Sequence, residues 1–359
     1  MKTTTLSLLF LFISSSLLAQ TGFIVSGKVL DSASQQPLFG ASVFCQNTTQ
    51  GTSTSMEGGF TLRLRPGGYD LVVTFTGYQS QTIRVTDSDP TSALVINLVK
   101  AEKSMEEVVI RSSNEVLDGW EKYGSFFTEL FIGATPFAKQ CTLQNPQVLK
   151  FLYYKRSDKL KILAEEPLMI VNKALGYIIR YQLDSFVYRY PDSQYSYRGY
   201  SFFEEIQGTR AEMKEWHKNR KQAYFGSRLH FMHAYYDRQL QEEGFIIGLL
   251  SENDATQFDQ IRLPYDARYY TRIDSTAEVD IQFPRRISIT FTKKVPDNDY
   301  LDKFKLPRSL GVQISYADLK DYITITENGY YYNQGDWMNF GYWSWKNLGD
   351  MLPYDYIPD

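Results

Sequence analysis

The 359-residue sequence contains three histidines, the side chains best suited to bind zinc or to transfer a proton near neutral pH. His230 and His233 are three residues apart on a predicted helix, so their imidazoles share one face. A zinc protease would carry a glutamate inside an H-E-x-x-H motif, but Phe231 and Met232 separate this pair. His217 lies well around the helix from both. We predict structural histidines and no metal site.

Two pairs of adjacent glutamates and one serine are the other candidates for catalysis. A glycosidase needs two carboxylates about 5 to 10 Å apart, and the pairs are Glu165 with Glu166 and Glu204 with Glu205. Neighbouring residues on a strand point to opposite faces, so adjacency does not favour such a site. Ser227 lacks the second glycine of a G-x-S-x-G nucleophile elbow and lies within a helical pattern. We predict no catalytic residue, no metal ligand and no cofactor.

Aromatic side chains are the strongest candidates for contacts with a ligand or partner. The sequence has 27 tyrosines and 23 phenylalanines, most of them in its second part. Flat rings with polar tips stack on sugars or anchor protein partners at low entropic cost. The predicted contact residues are Tyr195, Tyr197, Tyr200, Trp337, Trp343 and Trp345. The alternative is that these rings belong to the core of a large β-rich domain.

The composition is that of a folded, weakly charged protein. With 43% hydrophobic and 22% charged residues, the chain can bury more than one core. A formal net charge of -3 and the lack of a basic stripe argue against nucleic acid binding. Of the two cysteines, Cys45 shares a strand face with Ala41 and Val43, which is typical of a core residue, and Cys141 lies far along the chain. The sequence gives no reason to expect a disulfide between them.

The candidate residues lie where helical and strand patterns follow one another. Apolar spacing predicts a helix over residues 120–132 and a long helical region over 209–241, with a break at Gly226 and Ser227 and a stop at Gly244. Strands are predicted at residues 151–154, 160–164, 168–171, 177–190, 286–295, 310–316 and 322–326. The first four indicate an antiparallel meander. Together these elements predict an α+β domain with an antiparallel sheet.

Residues 24–110 have a different pattern, in which short alternating segments are separated by Gly, Pro, Asn or Asp. This punctuation is typical of a small antiparallel sandwich. In segment 68–76, alternate residues share one face, which we expect to be buried. They are Tyr69, Leu71, Val73 and Phe75. The opposite face is expected to be mostly exposed.

Six motifs occur in order in this region: G-x-V-x-D, P-L-x-G-A-x-V, G-T-x-T, G-x-F, G-x-Y-x-L and G-Y. They begin at Gly27, Pro37, Gly51, Gly58, Gly67 and Gly77. In this order they resemble the carboxypeptidase-like regulatory domain, a transthyretin-like sandwich that also stands at the N-termini of starch-utilisation-type TonB-dependent receptors. The resemblance implies an all-β sandwich that is not itself a peptidase. Residues 106–110 resemble the segment that can contact TonB in those receptors; a final strand or linker is the alternative.

The first 19 residues have the layout of a secretory signal peptide. Lys2 precedes an apolar run over residues 6–13, and Ala19 stands before the expected cleavage point. The run is too short to span a membrane. The predicted organisation is a signal peptide (1–19), a carboxypeptidase-like regulatory β-sandwich (20–110), a linker (111–118) and an α+β domain (119–359).

These observations predict an exported multidomain protein. We expect a non-catalytic binding or assembly component of a Gram-negative cell envelope, in the periplasm or peripheral to the outer membrane; the Gram-negative assignment follows from the resemblance. The expected partner is an envelope protein or a glycan. The alternative is an envelope hydrolase, acting on glycan or peptide, with an unrecognised active site in residues 119–359.

Overall fold

The computed structural model describes residues 22–88, 92–101, 113–254, 256–332 and 334–358. The predicted signal peptide, the segment 106–110 and the first two residues of the predicted linker lie outside the described residues. In the described ranges, no helix is long and apolar enough to cross a membrane.

The N-terminal region is a sandwich of two sheets. Its strands are β1 (Phe23–Asp31), β2 (Ser42–Cys45), β3 (Gly51–Ser53), β4 (Gly59–Leu64), β5 (Gly68–Thr74), β6 (Gln81–Thr86) and β7 (Leu94–Leu98). One sheet has the order β4-β1-β7, with β7 parallel to β1, and the other has the order β3-β2-β5-β6. Val25 and Val29 from the first sheet meet Leu71 and Val73 from the second in one apolar core. The predicted sandwich is confirmed.

The two faces of β5 differ from the expectation in one respect. Leu71 and Val73 lie in the sandwich core, as predicted. The opposite face was expected to be mostly exposed, but Val72 is fully buried. Its cross-strand neighbour Phe44 contacts Phe202 of the second part of the chain, with ring centroids 5.4 Å apart. The outer face of this sheet is therefore covered, which a strand pattern alone does not reveal.

The second part of the chain begins with a six-stranded sheet. Its strands are β8 (Cys141–Leu143), β9 (Leu149–Tyr154), β10 (Lys159–Ala164), β11 (Leu168–Asn172), β12 (Tyr177–Arg189) and β13 (Gln194–Glu205). The order β8-β11-β12-β10-β9, with β13 on the other edge of β12, is not a simple meander. The predicted meander is wrong because β12 is long enough for β11 and β10 to pair one after the other along the same edge.

Two helices accompany this sheet, α1 (Gly119–Phe131) and α2 (Arg210–Tyr224). Phe127 and Phe131 of α1 are fully buried, and their rings meet Phe186 and Tyr181 of β12 edge to face. Edge-to-face packing is favourable because the positive ring edge meets the negative ring face. The helix predicted over residues 120–132 is confirmed.

Two smaller antiparallel sheets complete the fold. Their strands are β14 (Phe245–Leu250), β15 (Phe258–Gln260), β16 (Tyr270–Ile273), β17 (Glu278–Ile281), β18 (Ile287–Phe291), β19 (Gln313–Leu319), β20 (Ile323–Ile325) and β21 (Trp337–Gly341). The sheet orders are β15-β14-β18-β19-β21 and β16-β17-β20. The remaining helices are α3 (Arg228–Tyr236), α4 (Leu240–Glu243), α5 (Asn298–Lys303) and α6 (Tyr342–Trp345). Short 3-10 turns occur at Ala138–Gln140, Pro146–Val148, Lys155–Ser157, Gln334–Asp336 and Leu348–Asp350. The multidomain fold class with antiparallel sheets is confirmed.

Local signals explain how the long helical region is divided. The Thr209 side chain and Glu212 form a reciprocal capping box at the start of α2. Gly226 adopts a φ of +83°, which favours glycine, and the Ser227 hydroxyl then accepts the first bond of α3. Gly244, at a φ of +88°, ends α4. The predicted break and stop are confirmed.

Candidate functional site

The hairpin of β12 and β13 carries three of the six predicted contact residues. The two strands pair antiparallel from Tyr177 with Glu205 to Arg189 with Gln194, with one irregularity beside Asp184. β13 is thus a 12-residue strand at the edge of its sheet. A long edge strand presents unpaired backbone groups that readily accept another extended chain.

The side chains of β13 alternate between the core and the outside. Tyr195 and Tyr197 point to the core face, where Tyr197 meets Phe131 of α1 at 5.0 Å between ring centroids. Burial raises the pKa of the Tyr197 hydroxyl to about 12. On the other face are Tyr200 and Arg198, whose side chain is 82% exposed. The structure therefore separates the three tyrosines, with two rings packed inside and one facing outward.

One end of this strand edge is already occupied by the sandwich. The Asn47 N–H donates to the Ser201 carbonyl at 2.7 Å, and the Phe203 N–H donates to the Thr48 carbonyl at 2.9 Å. Thr48 and Phe202 form an isolated parallel bridge. The turn after β2, in which Asn47 has a φ of +56°, therefore makes a short backbone contact with the edge of β13.

The rest of this edge has no partner strand within the described ranges. Since backbone groups alternate along a strand, Tyr195, Tyr197 and Gly199 direct theirs the same way as Ser201 and Phe203. We call the backbone of Tyr195, Tyr197 and Gly199 the open edge. Gly199 allows β13 to lie close to β12, because an added Cβ would overlap the Gln182 carbonyl oxygen of β12.

The C-terminal region holds the sandwich loop in place. The Asp355 carboxylate accepts hydrogen bonds from the Thr49 backbone N–H at 3.0 Å, the Gln50 side-chain amide at 2.9 Å and the Thr49 hydroxyl. The Tyr354 N–H donates to the Asn47 carbonyl at 2.7 Å. Because charge-assisted bonds are stronger than neutral ones, Asp355 fixes where the loop meets β13.

The three predicted tryptophans lie inside the protein. Trp337 and Trp343 belong to the core beneath the five-stranded sheet, and Trp345 packs beside α5. The Trp343 indole N–H donates to the Gly226 carbonyl at 2.8 Å. These positions fit the core-residue alternative, and a ligand contact by any of the six aromatic residues stays a prediction.

The two helical histidines lie in a buried aromatic cluster. His230 Nε2 is 3.0 Å from a Glu243 carboxylate oxygen, and His233 Nδ1 is 2.8 Å from the Tyr224 hydroxyl. Burial lowers the pKa of both imidazoles. Within the described part of the chain, no group of three His, Cys, Asp or Glu side chains is placed to hold a metal ion.

The other candidates for catalysis have structural contacts. Glu204 forms an ion pair with Arg180, and Glu205 forms one with Arg220 at 2.6 Å. Glu165 and Glu166 are exposed beside the end of β10, and the Ser227 hydroxyl caps α3.

Cys45 is buried, Cys141 is half-buried, and both are free thiols.

Three parts of the candidate site were not predicted from the sequence. β13 was not predicted as a strand, although Tyr195 and Tyr197 show the alternation that could have revealed it. The contacts of Asn47 and Thr48 with β13 left no signal in the sequence, because they join residues more than 150 positions apart. The role of Asp355 was hidden for the same reason.

Comparisons with known proteins identify one domain. Residues 25–110 match the family model of the CarboxypepD_reg-like domain, which confirms the resemblance inferred from the motifs. A comparison with curated proteins found no match.

Two solved structures show only distant similarity. One, from Bacteroides fragilis, is described as a membrane-associated protein of unknown function; it is 12% identical, the match covers 45% of this chain and 65% of that chain, and the TM-score is 0.19. The other is a 9R-lipoxygenase from Cyanothece PCC8801. It is 9% identical, the match covers 60% of this chain and 48% of that chain, and the TM-score is 0.16. The chain spans less than two thirds of either structure, and TM-scores this low assign neither a fold nor a function to it.

Proposed function

We propose that this chain, with its CarboxypepD_reg-like domain at residues 25–110, is an exported, non-catalytic binding or assembly component of a Gram-negative cell envelope. The signal-peptide layout of residues 1–19 supports export to the periplasm or to the periphery of the outer membrane. The family resemblance supports the envelope, because such sandwiches also stand at the N-termini of TonB-dependent receptors. In this proposal residues 20–110 and 119–359 are the two domains.

The single observation that carries the binding proposal is the partly occupied edge of β13. Asn47 and Thr48 of the sandwich already use this edge for backbone pairing. The adjoining open edge is bordered by Arg198 and Tyr200 on the outside. Arginine and tyrosine side chains are common anchors in protein interfaces. We infer that an envelope partner contacts the hairpin of β12 and β13.

The hydrolase alternative has one feature in its favour. Burial and the nearby Lys346 lower the pKa of the Lys294 ammonium to about 8, a value suited to proton transfer. Lys294 donates to the Gln222 carbonyl of α2 at 2.8 Å. A cavity beside Glu278 and Glu327 has a volume of ≈ 30 Å³, whereas one water molecule needs about 10 to 15 Å³. The hydrolase stays the alternative, because the backbone contacts of β13 support binding.

The size of the native complex tests this proposal. Wild-type protein, tagged and extracted mildly from the envelope of its own host, should elute as one complex larger than the monomer. Arg198→Glu reverses the charge beside the open edge and should shift most of the protein to monomer size. Lys218→Glu on the exposed face of α2 is the matched control and should leave the complex intact. Wild-type protein that elutes as a monomer would contradict the proposal.

A further inference from the structure

We propose that the open edge binds an extended peptide segment of a partner protein by adding it as a strand to the sheet. This inference rests on the proposed function, since it specifies how the partner is held at β13. Backbone pairing supplies affinity in this mode of recognition, and alternate side chains supply specificity.

The contact made by the sandwich shows that this edge accepts backbone hydrogen bonds from another segment. The two bonds between the Asn47–Thr48 segment and the Ser201–Phe203 segment are 2.7 and 2.9 Å long, which is ordinary hydrogen-bond geometry. The open edge continues this row of backbone groups without interruption. Its three residues lie within a stretch of about 13 Å at a strand rise of 3.3 Å per residue.

The limits of the open edge favour one extended segment over a second folded sheet. At one end, the sandwich loop is fixed by Asp355 and fills the edge at Ser201. At the other end, β13 begins at Gln194, directly after the hairpin turn. A single strand fits between these boundaries, whereas a sheet from a second copy would bring its own flanking elements against the sandwich.

The side chains beside the open edge indicate the sequence that it would select. A residue paired with Tyr197 has its side chain on the same face as the rings of Tyr195 and Tyr197, which favours an apolar residue. The next side chain lies on the outer face beside Arg198, whose contact with Asp184 is loose at 3.8 Å. An acidic residue would gain a charged partner there. The structure therefore points to a segment that alternates apolar and acidic residues.

Peptide binding tests this inference directly. The probe is a fluorescein-labelled octapeptide of alternating valine and glutamate, measured by fluorescence anisotropy with the purified mature protein. We expect saturable binding, and binding at least tenfold weaker when the central four amides of the peptide are N-methylated. N-methylation removes backbone donors and leaves the side chains unchanged. Equal binding of the two peptides would overturn the inference.

A pair of variants isolates the backbone contribution of the protein. Tyr195→Ala and Tyr195→Pro both lose the ring, but only proline removes the N–H that faces the open edge. We expect the probe to bind the proline variant about fivefold more weakly than the alanine variant, the effect of one lost hydrogen bond. Equal affinities in two folded variants would count against strand addition, and if the proline variant does not fold, the N-methylated peptide decides.

Further outcomes separate this inference from its alternatives. Sedimentation of the protein without peptide should give a monomer; a dimer that Tyr195→Pro disrupts would make a second copy the occupant and overturn the inference. If the probe does not bind while Arg198→Glu still dissociates the native complex, the inference of strand addition is wrong and the proposed function stands. If the probe binds but no native complex exists, the proposed function fails on its own.

Discussion

Burial changes the acid–base behaviour of individual residues in this protein. His230 and His233, which the sequence singled out as candidate ligands, lie among aromatic rings, and both imidazoles have lowered pKa values. The spacing of the pair on a helix was predictable from the sequence. Their partners, Glu243 and Tyr224, were not, because neither lies in a recognisable motif with them.

These lowered pKa values predict a pH dependence of stability. A histidine in the unfolded chain titrates near 6.5, so between that pH and the lower folded value the unfolded state binds a proton that the folded state does not. The free energy of unfolding should therefore fall as the pH drops from 7.5 to 5.5. In His233→Gln the fall should be smaller, because one of the two buried imidazoles is absent. The variant should also lose about 1 kcal/mol of stability at pH 7.5 with the hydrogen bond to Tyr224.

Urea unfolding at the two pH values measures this difference. Met213→Gln, at an exposed position of α2, changes no titratable group; it is the control and should keep the wild-type dependence. Equal losses of stability in His233→Gln and wild type on acidification would contradict this prediction.

At the scale of elements, the sequence predicted what depends on local pattern. The helices near residues 120–132 and 209–241 follow from apolar spacing, caps and glycines, and they are confirmed. The sheet order was not predicted, because pairing of β12 with both β10 and β11 depends on the length of β12 and on contacts between residues far apart in the sequence. For the same reason the sequence revealed the tyrosines of β13 but not the edge they belong to.

The contact between the loop after β2 and the C-terminal region gives an element-scale prediction. Asp355→Asn removes the charge that three donors share, and we expect a loss of about 1 to 3 kcal/mol in unfolding free energy. The backbone amide of Thr49, which donates to this carboxylate, should also exchange faster with deuterium. Asp302→Asn breaks only an exposed pair with Arg308 and is the control, with an expected change of about 0.5 kcal/mol or less.

Thermal unfolding and hydrogen exchange, followed by mass spectrometry, test this prediction. Equal, small effects of the two substitutions would mean that Asp355 does not hold the sandwich loop on β13.

At the scale of the whole molecule, the sandwich and the second part of the chain share one contact surface. Phe44 packs on Phe202, and an added Cβ at Gly51 would lie 2.7 Å from the same ring. The resemblance predicted the sandwich from six short motifs, and the family match confirms it. No such motif marks the second part, so its open edge could be found only in the folded structure.

The most direct test is photo-crosslinking in intact cells, with a photoreactive amino acid in place of Ser196, an exposed residue on the outer face of β13 beside Arg198, and, as control, in place of Lys218. We predict one discrete crosslinked product with another envelope protein from position 196 and none from position 218. An unlabelled copy of the wild-type protein should reduce the yield by competing for the partner. No product from position 196, or the same products from both positions, would contradict the claim that this protein binds an envelope partner at β13.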